Sequence, residues 1–237
     1  MTRHRPYQPS LSPPFDVVWD FDGTLLPYDS EQALLRSLLR HPWRVGPHKA
    51  LLAQALAWAD RRNLMERSFK RWYVRCLRGL PAEALDALAC RVAGDISDAD
   101  RRAIAEIRAL GARMFVVSCG TGDLSQRILQ AAGVAEAFLA IEANWFTFWG
   151  DRIEGMDLSI HLPADKLAAA RGLGVSLPHA VMVGDGVTDL PLLEEAAYPV
   201  LLDRAGRREA LIRESGYIGA ANLPEVARLL SNMVSNP

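Results

Sequence analysis

The sequence of 237 residues predicts an α/β protein with a parallel β-sheet and a small all-helical cap domain. From residue 97 onward, short apolar runs typical of buried strands alternate with helical periods, which is the pattern of a parallel sheet covered on both faces. Residues 27–96 show helical periods without a convincing strand, which indicates a module inserted after the first strand.

The first strand ends in a pair of carboxylates. Residues 17–19 form a short apolar run that predicts a buried strand, and Asp20 and Asp22 follow it before Gly23 breaks the extended chain. Because side chains alternate along a strand, the two carboxylates are expected to point to one side. Like charges this close repel each other unless a cation or a proton lies between them. A hard divalent cation with oxygen ligands, such as Mg²⁺, would balance the pair.

The inserted module is predicted to contain four helices, over residues 29–40, 49–60, 64–78 and 81–93. Ser30 is the predicted N-cap of the first helix, because its hydroxyl oxygen can accept a backbone N–H. The leucines of this helix recur at helical spacing and form one apolar stripe (Leu34, Leu35, Leu38 and Leu39).

The rest of the chain is predicted to alternate between helices and strands. Helices are expected at 97–110, 124–132, 166–172, 190–197, 207–215 and 224–233, and strands at 114–117, 138–141, 180–183, 200–202 and 217–218. An aromatic hairpin is expected over 144–155, around a turn at Gly150 and Asp151. We therefore expect a Rossmann-like core over 15–26 and 97–237, a helical cap over 27–96, and a flexible arm over the basic, proline-rich residues 1–14.

Charge and cysteine content exclude several classes of partner. Charged residues make up 23% of the chain and the formal net charge is −1, which gives no footprint for nucleic acid or an anionic membrane. The N-terminal residues lack the apolar segment of a signal peptide, and no apolar stretch is long enough to span a bilayer. Three cysteines without metal-binding spacing indicate a reducing compartment, so we predict a cytoplasmic protein. The sequence leaves the oligomeric state open.

Acidic and hydroxyl side chains are concentrated at three strand ends: Asp20 and Asp22 after the first, Ser118 after the second, and Asp185 and Asp189 after a later one. In open α/β sheets, ligands bind beyond the carboxyl ends of the strands, so parallel strands would bring these side chains to one edge. Each also has a simpler explanation, since an aspartate at a strand end is often a helix N-cap and a serine beside glycine often forms a turn. Their joint order favours a shared site.

Four short motifs resemble those of the haloacid dehalogenase superfamily: Asp20-Phe-Asp-Gly-Thr24, Ser118, Lys166 and Gly184-Asp-Gly-Val-Thr-Asp189. Lys166 alone, beside Asp165, would fit a solvated ion pair equally well, so the order and spacing of all four motifs carry the resemblance. The second aspartate resembles the phosphatases of that superfamily, because its dehalogenases lack this residue. The helical insert resembles the cap of the phosphoserine phosphatase-like branch, and the likeness extends over residues 15–230.

The resemblance implies a Mg²⁺-dependent phosphomonoester hydrolase that acts on a small phosphorylated metabolite. Asp20 would attack phosphorus and form an aspartyl-phosphate. Asp22 would protonate the leaving oxygen and then deprotonate the attacking water. The implied Mg²⁺ ligands are a carboxylate oxygen of Asp20, the backbone carbonyl of Asp22 and the carboxylate of Asp185.

The same resemblance implies how the phosphate is held. The implied phosphate-binding groups are the Ser118 hydroxyl, the backbone N–H groups at Cys119 and Gly120, and the Lys166 ammonium. Cys119 and Gly120 stand where the branch usually has two glycines, but a backbone N–H can still serve there.

Supporting roles are implied for two further residues. Asp189 would orient Lys166 or a water molecule at the metal, and Thr24 would help to position the acid/base. Thr188 stands where the branch usually has an asparagine, and its hydroxyl can still form a hydrogen bond.

The cap is expected to select the substrate. Asp29 lies nine residues after Asp20, where the resembling serine-phosphate enzymes have a glutamate that meets the substrate's amino group. An anionic Asp29 would suit an amine-bearing substrate such as phosphoserine or a phosphorylated amino alcohol. Equally, it would be a favourable charge at a helix N-terminus.

Other cap residues and the hairpin have two interpretations each. The arginines could meet a substrate carboxylate, although a solvated face is the default, and the aromatic residues could form a cation cage or the core of the cap. These residues are Arg61, Arg62, Arg67, Arg71, Arg75, Arg78, Trp43, Trp58, Trp72 and Tyr73. The hairpin could close the rim of the pocket or pack under the cap, and His161 could lie near the site or at the surface.

Three other functions stay open at this point. A phosphotransferase would pass the aspartyl-phosphate to an alcohol, a signalling receiver would be phosphorylated on an aspartate and recognised by partners, and a binding module would lack catalysis. The receiver fold is shorter and has neither a helical insert nor the Asp-x-Asp-Gly-Thr motif. The complete set of acidic residues argues against an inactive module.

Overall fold

The structure is a computed structural model that describes residues 10–41, 45–60, 62 and 68–235. Several sequence-based predictions fall outside these residues: the arm over residues 1–9, the start of the helix at 64–78, and the interpretations of Trp43, Arg61 and Arg67.

Seven strands of the described residues form one sheet. They are β1 (Phe15–Trp19), β2 (Ala112–Thr121), β3 (Phe138–Trp149), β4 (Arg152–Asp157), β5 (Val181–Gly184), β6 (Tyr198–Leu202) and β7 (Ile218–Ala220). The order across the sheet is β4-β3-β2-β1-β5-β6-β7, and every neighbouring pair is parallel except β3 and β4. This arrangement confirms the predicted α/β class.

The central strand β1 is buried on both faces of the sheet. Val17 and Trp19 pack into one hydrophobic cluster, whereas Val18 packs into a second, and all three side chains are fully buried. Alternation along the strand produces this division, and each such side chain contributes ~2 kcal/mol of hydrophobic stabilisation. Trp19 pairs with Val116 of β2 and Val183 of β5, so the residue that follows it lies between β2 and the end of β5.

Within the described residues, four α-helices lie between β1 and residue 96. They are α1 (Ser30–Arg40), α2 (Pro47–Asp60), α3 (Phe69–Leu77) and α4 (Glu83–Val92), followed by a short 3₁₀ turn over 93–95. The N-cap of α1 is Asp29, not Ser30 as predicted. Asp29 has an extended backbone and its carboxylate accepts the Gln32 N–H at 2.9 Å, whereas Ser30 is already the first helical residue.

The remaining helices cover the sheet. They are α5 (Asp98–Ala109), α6 (Gly122–Ala131), α7 (Asp165–Gly172), α8 (Leu190–Glu195), α9 (Glu209–Ser215) and α10 (Leu223–Ser235). Strand β2 continues to Thr121 instead of ending at residue 117, and a shift of register accompanies its last residues. Strand β3 is one long strand that includes both the predicted strand at 138–141 and the first arm of the hairpin.

The β3–β4 hairpin packs under the inserted helices. The Gly79 N–H donates to the Ile153 carbonyl at 2.7 Å, and the Ile153 N–H donates to the Leu80 carbonyl at 3.0 Å. The rings of Tyr73 on α3 and Phe146 on β3 stack with centroids 6.0 Å apart. Of the two predicted positions of the hairpin, packing under the helices is therefore the one observed.

Two further sequence-based predictions can be compared with the structure. Cys76, Cys90 and Cys119 are all free thiols. Among the described helices, none combines the length and the apolar character that crossing a bilayer requires.

Candidate active site

Asp20 lies directly beyond the end of the central strand. Its N–H donates to the Val183 carbonyl of β5 at 2.9 Å, and the residue is only 4% exposed. Burial and the negative charge of Asp189 together raise the pKa of Asp20 from 3.8 to about 7, against the opposing effect of Lys166. Lys166 therefore balances the negative charge of Asp20 only in part.

Lys166 is a fully buried cation between two carboxylates. Its Nζ donates to Asp20 Oδ1 and to Asp189 Oδ1, each at 2.7 Å. These two anions raise the pKa of Lys166 above its ordinary value although burial opposes them, so the ammonium stays charged. The interpretation of Lys166 and Asp165 as a solvated pair is wrong, because the Asp165 carboxylate instead accepts two backbone N–H groups in front of α7.

Both oxygens of the Asp189 carboxylate accept hydrogen bonds from neighbouring groups. One oxygen accepts from Lys166, and the other accepts the N–H groups of Asp185 and Gly186, both at 3.0 Å. Ligand oxygens of Asp20, Asp185 and Asp189 lie within 4.8 Å of one another. Asp189 thus holds both Lys166 and the loop that carries Asp185.

Asp185 lies against the backbone of the first motif. A Cβ at Gly23, where φ is +83°, would stand 2.5 Å from Asp185 Oδ2, so this approach needs glycine. Burial and the charge of Asp189 raise the pKa of Asp185 to about 6, and Arg208, 3.5 Å away, opposes the shift. The negative charges of Asp20 and Asp185 are thus only partly balanced by neighbouring cations. Carboxylate oxygens of this kind are suitable ligands for a hard divalent cation.

Asp22 is half-buried between α1 and the end of β2. Its Oδ1 accepts the Ser30 N–H at 2.8 Å, and its Oδ2 lies 2.5 Å from the position that a Cβ at Gly120 would take. Loss of hydration and the charge of Asp29 raise the pKa of Asp22 well above its ordinary value, so the carboxyl tends to hold its proton. A side chain at residue 120 would collide with this carboxyl.

Thr24 is fully buried beside the motif. Its carbonyl accepts from Arg204 at 2.8 Å, and its hydroxyl oxygen has no hydrogen-bond partner among the described residues. Asp29, five residues further along the chain, caps α1. Loss of hydration around its carboxylate and the charge of Glu31 raise the pKa of Asp29, and Lys70 opposes this shift.

The end of β2 brings hydroxyl and N–H donors to the same edge. Ser118 is buried, and its Oγ accepts the Gly120 N–H at 3.0 Å. The Cys119 carbonyl accepts from the side chain of Asn144 at 2.9 Å. Burial raises the pKa of the Cys119 thiol to about 11, so this group stays protonated near neutral pH and is a poor nucleophile.

A buried polar cluster that the sequence did not reveal lies next to these donors. Glu31 of α1 is 4% exposed and accepts from Lys70 Nζ and Thr121 Oγ1, both at 2.5 Å. Lys70 comes from α3, so the cluster joins the inserted helices to the end of β2. The sequence offered one signal for this cluster, which is the rarity of lysine. Lys70 is one of only three lysines among the 27 lysine and arginine residues.

Among the other predicted cap residues, Tyr73 is fully buried beside this cluster, where its hydroxyl accepts from Thr121 Oγ1 at 3.5 Å. His161 is exposed. Arg62 and Arg75 lie over the rings of Trp58 and Trp72, at 4.4 and 5.4 Å from the ring centroids. These aromatic rings therefore stack with cations of the protein itself.

Comparison with known proteins agrees with the geometry. Residues 17–194 match the haloacid dehalogenase-like hydrolase family. The chain belongs to this family. The predicted resemblance is thereby confirmed over three quarters of the sequence.

Individual relatives of this haloacid dehalogenase-like protein include a phosphoserine phosphatase of Archaeoglobus fulgidus, which is 30% identical over 187 residues. The alignment covers 76% of this chain and 50% of that protein, so the chain spans half the length of the relative that it matches.

Solved structures share the fold. A protein with unknown function from Bordetella pertussis Tohama I has a TM-score of 0.72 at 18% identity, over 90% of this chain and 100% of that one. A phospho-aspartyl intermediate analogue of phosphoserine phosphatase has a TM-score of 0.65 at 18% identity, over 92% of this chain and 99% of that one.

Proposed function

We propose that this chain is a Mg²⁺-dependent phosphomonoester hydrolase that forms an aspartyl-phosphate on Asp20. The observation that carries the proposal is the buried trio at the end of the central strand, in which Lys166 lies 2.7 Å from both Asp20 and Asp189. One carboxylate oxygen of Asp20 has a fixed cation beside it, and the donors at the end of β2 lie along the same edge of the sheet.

Phosphoryl transfer to the protein needs a nucleophile and an acid. An oxygen of Asp20 forms a bond to phosphorus as the bond from phosphorus to the leaving oxygen breaks. Asp22, whose raised pKa favours the protonated form, gives its proton to the leaving oxygen, and an alcohol departs. The Ser30 N–H at 2.8 Å holds Asp22 in place for this transfer.

Hydrolysis of the intermediate reverses these roles. Asp22, now a carboxylate, takes a proton from water as the water oxygen bonds to phosphorus and the bond to Asp20 breaks. Ser118, the Gly120 N–H and Lys166 bind the phosphoryl oxygens, where preorganised donors stabilise the charge of the transition state. Asp189 orients Lys166 in both steps.

The oxygen donors of this site fit Mg²⁺, as their incomplete charge balance and the close approach at Gly23 indicate. The carboxylates of Asp20 and Asp185 and the carbonyl of Asp22 would hold the ion. When bound, it would offset the repulsion between the nucleophile and the phosphate.

The helices within residues 27–96 are proposed to form the cap that encloses the substrate. Charges at the base of this region favour an amine-bearing leaving group, because the two carboxylates of Asp29 and Glu31 face a single cation there, Lys70. We propose phosphoserine or a phosphorylated amino alcohol as the substrate class. A cytoplasmic location stays a prediction.

A substrate screen tests the proposal. Phosphate release from phosphoserine, phosphoethanolamine and phosphocholine is compared with release from sugar phosphates, lipid-like phosphates, propyl phosphate and an aryl phosphate. We expect Mg²⁺-dependent release and a preference for phosphoethanolamine over propyl phosphate, which lacks the amine. Absence of release from every compound would contradict the hydrolase assignment.

The Asp29→Asn variant tests the role of charge, because asparagine caps a helix as well as aspartate does. The preference for the amine-bearing substrate is expected to fall, while release from the aryl phosphate stays the same. An unchanged preference would leave Asp29 as a helix cap only.

The same assays separate the two alternative functions. Transfer of phosphate to added alcohols in place of water would identify a phosphotransferase. A stable aspartyl-phosphate without turnover would identify a signalling receiver.

A further inference from the structure

Asn144 is a fully buried side chain outside the proposed set of reacting residues, and it uses its complete hydrogen-bonding capacity. Its Nδ2 donates to the Cys119 carbonyl at 2.9 Å and to the Ile160 carbonyl at 3.0 Å. Its Oδ1 accepts the N–H groups of Ser159 and Ile160, both at 3.0 Å. Two carbonyl oxygens on one side and two N–H groups on the other permit a single orientation of the amide.

The first of these contacts controls a peptide group of the site. The Cys119 carbonyl and the Gly120 N–H belong to one planar peptide unit and point in opposite directions. Because Asn144 holds the carbonyl towards the protein interior, the Gly120 N–H must point the other way, where it meets Ser118 Oγ at 3.0 Å beside Asp22.

The other contacts hold the segment in front of Lys166. Asn144 binds the backbone at residues 159 and 160, and the next two N–H groups, of His161 and Leu162, donate to the Asp165 carboxylate at 2.8 Å. Helix α7 begins at Asp165, and Lys166 follows. A single amide therefore links the two backbone segments that carry phosphate-binding donors.

We propose that Asn144 is a positioning residue that holds the Gly120 N–H on the side of Ser118 Oγ, from which it turns to the phosphoryl group when substrate binds, and that sets its position relative to Lys166. This role rests on the proposed phosphatase function. A purely structural cross-link would stabilise the fold without affecting the transition state.

Kinetics of Asn144→Leu distinguish the two roles. Leucine has a similar size and cannot hold the Cys119 carbonyl, so the Gly120 N–H loses its fixed direction. Removal of one oxyanion donor typically costs 10²–10³-fold, and since the other donors remain, we expect kcat/KM to fall ~10–100-fold. The inhibition constant for orthovanadate, which mimics the transition state, should rise by the same factor.

A merely structural defect gives a different result. It would lower the fraction of active molecules and hence the apparent kcat, while KM and the inhibition constant for orthovanadate would stay at their wild-type values. That outcome would overturn the proposal. Ser125→Ala is the matched control, because it removes a buried hydrogen bond to the Thr121 carbonyl at 3.2 Å and should leave the inhibition constant unchanged.

Asn144→Asp is the second variant in case the leucine variant does not fold. It keeps the size and the two accepted bonds but, as a carboxylate, cannot donate to the Cys119 carbonyl, so we expect the same direction of change. Failure of both variants to fold would assign Asn144 a structural role and overturn the proposal.

Nuclear magnetic resonance gives a readout that does not depend on activity. The chain contains one Cys-Gly pair, Cys119-Gly120, so labelling cysteine carbonyls with ¹³C and glycine nitrogens with ¹⁵N selects this single peptide group. We expect both resonances to shift in the Asn144 variants, and unchanged resonances would overturn the proposal. If the wild type released no phosphate while these resonances shifted, the proposed function would fail but the control of this peptide group would stand.

Discussion

Asp20→Asn is expected to stabilise the metal-free protein at high pH while it abolishes phosphate release. The amide is a poor nucleophile, so release from an aryl phosphate should fall below a few per cent of the wild-type rate. The expected gain in stability has a separate cause, which is the burial of a carboxylate among Asp185, Asp189 and one fixed cation.

The magnitude follows from the pKa of Asp20, which burial raises from 3.8 to about 7. In the unfolded chain this carboxyl loses its proton near its ordinary pKa. Between the two values the folded state binds more protons, so stability falls as pH rises. At about 1.4 kcal/mol for each pH unit, the difference amounts to ~4 kcal/mol.

Asparagine has the shape of the protonated carboxyl and does not titrate. The unfolding free energy of the variant therefore does not fall through the titration of residue 20 as pH rises. We expect Asp20→Asn to exceed the wild type by about 2–4 kcal/mol in unfolding free energy at pH 8, and by little at pH 4.5. Asp185, with a pKa raised to about 6, titrates in both proteins and largely cancels in the difference.

Urea unfolding in EDTA, followed by tryptophan fluorescence and circular dichroism, measures this difference. Asp16→Asn is the matched control on β1, because Asp16 is buried in an ion pair with Arg113 at 2.7 Å and should lose stability when neutralised. If Asp20→Asn were less stable than the wild type at pH 8, attraction between Asp20 and Lys166 would outweigh burial, and the reasoning would be refuted. Added Mg²⁺ should reduce the difference in unfolding free energy between Asp20→Asn and the wild type, since binding of the ion would stabilise the charged form of Asp20.

Three further outcomes are expected. EDTA should remove phosphate release and Mg²⁺ should restore it; full activity in chelator would refute the role of the metal. Gly23→Ala should lower the unfolding free energy by ~1–3 kcal/mol and weaken Mg²⁺ binding ~10-fold, as measured by calorimetry, because its Cβ would collide with Asp185. The control is Gly79→Ala, which has a similar φ of +87° but open space around it. This control should lose stability from backbone strain and leave Mg²⁺ binding unchanged. Variants with a single cysteine allow the thiols to be compared. Iodoacetamide should modify Cys119 ~10-fold more slowly than the exposed Cys90 at pH 7.5, because burial raises the pKa of Cys119 to about 11. Equal rates of modification would contradict the raised pKa of Cys119.

Much of the fold was predictable because its signals are local. The apolar run over 17–19 and the alternation of elements after residue 97 indicated a parallel sheet, and the sheet is parallel except for β3 and β4. Element ends were less predictable: both Asp29 and Ser30 can cap a helix, and the hydrogen bond to Gln32 decided between them. The end of β2 also extends through the polar residues that appeared to terminate it.

The candidate site was predictable only where its residues lie in motifs. Asp20, Asp22, Asp185 and Asp189 stand at strand ends in a recognisable order, and the structure brings three of these carboxylates within 4.8 Å. Glu31 and Asn144 carry no such signal, since a charged residue in the first turn of a helix and an asparagine within a strand are normally exposed.

Residues close together in the chain define the acidic motif, the order of strands and helices, and the family, so all three can be inferred from sequence. The burial of particular charges beside one another depends on the tertiary structure. Lys166 is 146 residues from Asp20, yet their atoms lie 2.7 Å apart, and this pairing depends on the order of strands across the sheet. The same long-range packing buries the Asp20 carboxylate beside Asp189 and thereby raises its pKa.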